Sequence, residues 1–297
     1  MDITVVGAGS LGSLLGGLLA REHDVTLVGR QPHVDTVAES GLRITNAIEA
    51  TVEPRAVETP ESGAATDLAL ITVKAFDTDG AVETLADVDV DVVCSLQNGL
   101  GNEATLAEGL DATVLAGTCT YGARLAEPGV VECTGVGEVA LGPRGGGSSQ
   151  AAEGVGEAFE AAGVLTTVAA DMPRRLWEKL AVNAGVNAVT ALARVPNGAV
   201  VDGPGSEPAR DAARETARVA RQEGIEVESD RAVAAVESVA EATAANTSSM
   251  LQDVEGGRRT EVDAINGAVA ERGEADAPVN ETLAALIRAW ERGQGLR

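Results

Sequence analysis

Near its amino end the chain reads "VVGAGSLGSLLGG", and no other stretch constrains the fold as much. Gly7, Gly9 and Gly12 stand in GxGxxG spacing, directly after the apolar run Ile3–Val6 and directly before the helical pattern Leu11–Arg21. In a strand–turn–helix unit the first glycine permits the tight turn, the second lets a pyrophosphate approach the backbone, and the third lets the helix pack against its strand. The anion then lies at the helix N-terminus, where unbonded N–H groups and the helix dipole favour negative charge. Glycine-rich turns alone occur in many folds; the flanking strand and helix are what point to a dinucleotide held by Gly7, Gly9, Ser10, Leu11 and Gly12.

Further strand-like runs at Val25–Val28, Leu68–Val73 and Val90–Ser95 alternate with helical stretches, the pattern of a parallel α/β sheet. A strand-rich portion, Val114–Leu141, follows, and then "GPRGGGSSQ" at 142–150, which has the composition of a linker but reads here as a loop within the first domain. One more helix and a short β run, Val164–Val168, complete the sheet. From Pro173 onward the chain is Ala-rich, with helices expected near 173–193, 205–223, 230–252, 260–272 and 280–292. The expected architecture is α/β plus all-α: a Rossmann-type dinucleotide-binding domain over 1–169, then an all-helical domain over 170–297.

Composition narrows the partners. Forty-six Asp and Glu against 22 Lys and Arg give a formal charge of -24, which repels nucleic-acid phosphates and anionic membranes, so an anionic ligand must be caught locally. An acidic chain with only two lysines, Lys74 and Lys179, suits a salt-rich, halophilic cytoplasm, where the Debye length shrinks to about 3 Å at 1 M. Cys94, Cys119 and Cys133 form no CxxC pair, and the histidines are only His23 and His33, so reduced thiols and no metal site are expected. Neither a signal-peptide pattern nor an apolar run of bilayer length is present, and the expected location is cytoplasmic. A monomer and a homodimer both remain open.

Where the second strand ends, "LVGRQ" offers Arg30 in place of the acidic residue that usually binds the ribose of NAD. A guanidinium fits a 2′-phosphate, so NADP(H) is the expected coenzyme, with NAD(H) as second choice. Two later strand ends deliver Lys74 ("ITVKAF") and Gln97 with Asn98 ("SLQNG"); Lys74 is placed to meet the coenzyme and Asn98 to reach the nicotinamide–substrate region.

In "RRLWEKLAVNAGVNAVTAL", Lys179, Asn183, Asn187 and Thr190 fall within an arc of about 80° at 100° per residue, on a helix otherwise largely apolar. Such a narrow polar stripe is expected to line a cleft. Further along, "NTSSMLQD" offers Asn246, Ser248 and Ser249, and "RRTEVDAING" offers Glu261. Thr260 and Asp263 have capping-box spacing, which would make Glu261 an ordinary first-turn residue. Residue by residue, this leads to an NADP-linked dehydrogenase with a helical substrate domain.

Several of these motifs together resemble the ketopantoate reductase family: "GAGSLG", "TVKAFD", "QNGLGNE", "LWEKLAVNAGVNAVTAL", "PNG", "NTSSMLQD" and "RTEVDAINGAV", in family order from residue 3 to about 282. The resemblance implies NADPH-dependent reduction of 2-dehydropantoate to (R)-pantoate. It further implies Lys179 as catalytic acid, Glu261 as its carboxylate partner, and Asn98, Asn183, Asn187, Asn197, Asn246 and Ser249 as substrate-binding groups alongside those two. Two other readings stay open: a related NAD(P)-dependent 2-keto or 3-hydroxy acid dehydrogenase with another acyl pocket, and a non-catalytic NADP-sensing module, for which Lys179 and Glu261 would be superfluous.

Overall fold

The structure is a computed structural model of the 297-residue chain and describes residues 1–273 and 276–297. Two compact units emerge: residues 1–97 with 101–172, and residues 98–100 with 173–297.

The first unit runs β1 (Asp2–Val6), α1 (Ser10–Leu19), β2 (Asp24–Val28), α2 (His33–Ser40), β3 (Leu42–Asn46), β4 (Ala50–Val52), β5 (Arg55–Val57), β6 (Ala65–Ile71), α3 (Thr78–Leu85), β7 (Asp89–Ser95), α4 (Asn102–Gly109), β8 (Thr113–Cys119), β9 (Gly122–Glu127), β10 (Val130–Gly135), β11 (Val139–Pro143), α5 (Gln150–Ala161) and β12 (Thr166–Val168). Eight strands form one sheet in the order β12-β11-β8-β7-β6-β1-β2-β5. The central strands are parallel, and their register aligns Val6 with both Val28 and Ile71, and Ile71 with Ser95. The turns after β1, β2 and β6 therefore open at one end of the sheet, and the strand order reverses between β1 and β6, where α/β sheets bind ligands. Leucines 14, 15, 18 and 19 of α1 are at most 1% exposed and pack with Ile3, Val5 and Leu27 in one core cluster. Burying each such side chain is worth roughly 1.5–3 kcal/mol, which anchors the helix whose first turn faces the ligand end.

The sheet departs from the expected all-parallel pattern at β11, which runs antiparallel to β8 because only the short strands β9 and β10 separate them. A second, four-stranded sheet, β4-β3-β10-β9, was not foreseen in its β3 and β4 strands. Those segments, "LRITN" and "ATV", are too short and too polar to stand out by alternation.

The second unit contains α6 (Met172–Ala193), a 3₁₀ turn at Asn197–Val200, α7 (Ser206–Gln222), α8 (Ser229–Ala242), α9 (Ser249–Glu255), a π-helical turn at Asp263–Gly267, α10 (Ala268–Gly273) and α11 (Pro278–Gly293). Small residues let its helices approach closely: Ala209, Ala212, Ala213, Ala217 and Ala220 of α7 are fully buried, and a Cβ on Gly185 of α6 would lie 2.8 Å from the Ala209 carbonyl oxygen. The cap residue of α11, Ala277, has no side chain to offer; buried Glu215 of α7 instead accepts from the N–H groups of Val279 (3.0 Å) and Asn280 (2.9 Å).

Two helix expectations are corrected here. The single helix read over 230–252 is two, because α8 ends at Ala242 and α9 restarts where the Ser248 hydroxyl accepts from Leu251 N–H. The helix read from 260 instead begins with the π turn, and the Thr260/Asp263 capping box does not form: Thr260 Oγ1 accepts from Val262 N–H, while Asp263 pairs with Arg288 and Arg259.

None of Cys94, Cys119 and Cys133 is in a disulfide among the described residues, and burial pushes the Cys94 thiol up to about 12. Among the described residues, no group of three His, Cys, Asp or Glu side chains is placed to hold a metal ion, and no helix is long and apolar enough to cross a membrane.

Candidate active site

In the first unit, the turn after β1 is built as a cradle. Gly7 and Ala8 both donate backbone N–H bonds to the Val28 carbonyl (2.9 Å each), and Thr72 Oγ1 donates to the Gly7 carbonyl (2.9 Å), pinning the turn between β2 and β6. Gly7 has φ +107°, and a Cβ there would meet Val73 N at 2.6 Å. A Cβ on Gly12 would stand 2.2 Å from the Gly7 oxygen and 2.4 Å from Thr72 Oγ1. Both positions exclude a side chain for internal reasons. Gly9 differs: its backbone is ordinary at φ -87°, and the nearest atom a Cβ would meet is 4.0 Å away. The space beside Gly9 is thus unfilled by the protein, as a closely approaching pyrophosphate requires. Helix α1 starts without a side-chain cap hydrogen bond, the kind of terminus at which first-turn N–H groups suit an anion. The Ser10 hydroxyl accepts from Leu125 N–H (3.0 Å), which ties the helix start to β9.

Arg30 follows β2 with a 90% exposed side chain, 3.5 Å from the carboxylate of Asp77. Asp77 closes a short turn that begins after Lys74, so Arg30, Asp77 and Lys74 share one rim of the unit. Lys74 itself is half-buried. Gln97, expected at the ligand face beside Asn98, turns inward: it is 4% exposed and donates to Thr78 Oγ1 at 2.8 Å. It also accepts from the Ser95 hydroxyl at 3.3 Å, so it stays with the buried end of β7.

The remaining residues belong to the helical unit. Asn98 Nδ2 donates to Glu261 Oε2 at 3.2 Å, joining two sequence motifs 163 residues apart. Close backbone contact supports the bond: Leu100 N–H donates to the Ala264 carbonyl (3.2 Å), and a Cβ on Gly99, at φ +86°, would lie 2.4 Å from that oxygen. Glu261 is 6% exposed. On α6, Lys179 and Asn183 are half-buried and Asn187 is 6% exposed, on a helix whose Leu180, Ala181 and Ala184 are buried to within 1%. The turn carrying Glu261 is tied to this helix by Asn266, whose Nδ2 donates to the Ala184 carbonyl (3.0 Å), one residue beyond Asn183.

Thr190 closes the stripe as a buried tie rather than an open lining group. It is fully buried, and its hydroxyl lies 2.7 Å from Ser248 Oγ, fastening α6 to the start of α9. That link fixes Ser249, the exposed first residue of α9. Asn197 and Asn246 are brought together directly, since Asn197 N–H donates to the Asn246 carbonyl (2.9 Å). The Asn197 Nδ2 donates to Thr243 Oγ1 (3.0 Å), while its buried Oδ1 has no protein partner among the described residues. Sequence reasoning missed Asn266 and Thr260 as organisers of the Glu261 turn; their role depends on contacts with α6 and α11 that no local pattern encodes.

Comparison with known proteins agrees across the chain. Residues 3–146 match the family described as "Ketopantoate reductase PanE/ApbA", and residues 171–291 match its C-terminal counterpart. A 2-dehydropantoate 2-reductase of Halobacterium salinarum is 45% identical, covering 98% of this chain and 99% of that one. The crystal structure of a PanE/ApbA family ketopantoate reductase from Ralstonia eutropha superposes with a TM-score of 0.91 at 34% identity, covering 99% and 100% of the two chains. The ternary structure of D-mandelate dehydrogenase with NADH and anilino(oxo)acetate gives 0.93 at 26% identity, covering 100% of both. Because both halves of the sequence match in order and the likeness runs the full length of a named relative, the chain belongs to the ketopantoate reductase family.

Proposed function

We propose that this protein is a 2-dehydropantoate 2-reductase, reducing ketopantoate to (R)-pantoate in the synthesis of pantothenate and coenzyme A. NADPH is the preferred reductant and NADH the second choice. In this reading the first unit holds the coenzyme through Gly7, Gly9, Ser10, Leu11, Gly12, Arg30 and Lys74, and the helical unit supplies the acid and the substrate contacts. The observation that carries it is the Asn98–Glu261 hydrogen bond, which unites two separate motifs at a buried carboxylate.

When bound, reduced nicotinamide supplies a hydride to the C2 ketone. Lys179 stabilises the negative charge that grows on the ketone oxygen and delivers a proton to it. Glu261, oriented by Asn98, accepts from a substrate hydroxyl and steadies the ammonium. Asn183, Asn187, Asn197, Asn246 and Ser249 donate to the substrate carboxylate and exchange hydrogen bonds with its hydroxyl without adding charge. A second reading, reduction of a 2-keto acid with another acyl group, is favoured by the likeness to D-mandelate dehydrogenase.

Parallel assays of ketopantoate, benzoylformate and smaller 2-keto acids with NADPH and NADH separate these readings. Ketopantoate with NADPH should give the highest kcat/KM. Lys179→Ala should lower kcat by about 10²–10⁴-fold while leaving NADPH affinity intact. Absence of ketopantoate turnover, or normal turnover by the variant, defeats the proposal. The acidic, lysine-poor chain and the Halobacterium salinarum relative support a salt-adapted cytoplasmic enzyme; sedimentation in molar KCl decides between monomer and homodimer.

A further inference from the structure

A fully buried carboxylate on α11, Glu291, takes no part in the chemistry above, yet it is bonded to the residue next to Glu261. Its Oε1 accepts from both the backbone N–H and the hydroxyl of Thr260, each at 2.7 Å, and its Oε2 accepts from Arg297 Nε. The Thr260 hydroxyl then accepts from Val262 N–H at 3.2 Å. Glu261 is therefore bracketed: Thr260 before it is fixed by Glu291 through its N–H and hydroxyl, and the peptide after it by the same hydroxyl.

Beyond this bracket the chain enters the π turn, with Ala264 and Ile265 both donating to the Glu261 carbonyl (3.1 Å each) and Gly267 donating to that of Val262 (2.8 Å). A π turn is rare and frequent at functional sites, and its extra residue per turn re-aims the side chains around it. Arg297 reaches from Glu291 to Asp263, the first residue of the π turn, so one buried carboxylate and its guanidinium partner hold both ends of residues 260–263.

We infer that Glu291 is a positioning residue: through Thr260 it sets the backbone at Glu261 and so the direction in which that carboxylate meets Asn98 and the substrate. The inference rests on the reading that Glu261 acts on substrate. Hydrogen bonds to a charged, buried acceptor are strong and poorly replaced, so an uncharged glutamine, whose amide would confront Arg297, loosens the bracket. A displacement of Glu261 by about 1 Å is enough to cost up to 100-fold in rate.

The test is a double-mutant cycle on the full chain, with kcat and KM for ketopantoate, NADPH affinity by fluorescence titration, and thermal unfolding. Glu291→Gln and Thr260→Val should each lower kcat by about 10–100-fold and change NADPH affinity less than twofold, while Thr260→Ser, which keeps the hydroxyl, should stay near wild type. In a Glu261→Gln background, which is already slow, Glu291→Gln should have no further effect on kcat. An equal loss in both backgrounds, or wild-type kcat for Glu291→Gln, overturns the inference. If Glu291→Gln does not fold, Thr260→Val carries the same cycle. Full activity of Glu261→Gln alone is a different result, since it removes the catalytic role of Glu261 rather than the bracket.

Discussion

The three cradle glycines make separable demands, and one alanine at each of two positions exposes the difference. In Gly12→Ala the new methyl falls 2.2 Å from one backbone oxygen and 2.4 Å from the Thr72 hydroxyl, so β1, α1 or β6 must shift. Overpacking of this kind costs about 1–3 kcal/mol, and at roughly 2–4 °C per kcal/mol the melting temperature without ligand should fall by about 2–12 °C. In Gly9→Ala the methyl meets nothing closer than 4.0 Å, and φ is -87°. The gain of about 0.4–1 kcal/mol from a stiffer unfolded chain roughly balances the poorer cap, leaving melting within about 2 °C of wild type. Coenzyme binding should reverse the ranking: the Gly9 methyl occupies the pyrophosphate's approach, and loss of one charge-assisted N–H bond, about 1.5–3 kcal/mol, weakens NADPH by roughly 10–150-fold. Differential scanning fluorimetry without coenzyme, paired with calorimetric titration of NADPH, measures both quantities. Wild-type NADPH affinity in Gly9→Ala, or a melting loss matching that of Gly12→Ala, would falsify the assignment of that space to the coenzyme.

Other outcomes are equally definite. Asp77, 3.5 Å from Arg30, competes with a 2′-phosphate for the same guanidinium; at this exposure the pair is worth at most about 1 kcal/mol. Asp77→Asn should therefore tighten NADPH up to about fivefold with little change in NADH, whereas Arg30→Asp should weaken NADPH selectively; equal effects on both coenzymes would exclude Arg30 from 2′-phosphate recognition. Burial lowers the pKa of His33, whose Nδ1 accepts from Gly129 N–H (3.1 Å) while Nε2 lies 2.9 Å from Ser13 Oγ. The unfolded chain protonates near pH 6.5 and the native ring resists, so stability should decline below about pH 6.5, by at most about 1.4 kcal/mol per pH unit. Denaturant titrations between pH 7.5 and 5.5 should show that slope, and His33→Gln should flatten it; an unchanged slope rules out His33 as its source. At a charge of -24, screening in 2 M KCl should relieve more repulsion than the exposed ion pairs lose, raising the melting temperature above that in dilute buffer. A lower value in salt contradicts this balance.

The parts of the fold that declare themselves in sequence are those with local periodicity. The apolar strands around β1, β2, β6 and β7 and the glycine turn after β1 fall where their patterns place them. Strands β3 and β4 of the small sheet did not, because β3 gains stability from pairing with its neighbour β4 and, across more than 80 residues, with β10, rather than from alternation. The same distinction divides the candidate site. Lys179, Asn183, Asn187 and Thr190 are legible as a stripe on one helix, and the bond of Thr190 to Ser248 on another element is not. Asn266, Thr260 and Glu291 act only through bonds to distant elements. The π turn has no propensity signature at all; it follows from the ties that hold both of its ends.

Asn98–Leu100 belong to the helical unit although the chain on either side belongs to the sheet unit. The helical unit cannot therefore be excised as one continuous piece, and a fragment starting at residue 173 lacks the partner of Glu261. Biosynthesis faces the same interruption. The bond from Asn98 waits for a residue 163 positions later, which at about 5–20 residues per second means roughly 8–33 s on the ribosome. Throughout that interval the "NGL" excursion of the sheet unit's chain has yet to meet its carboxylate, so this bond forms only after Glu261 has been made.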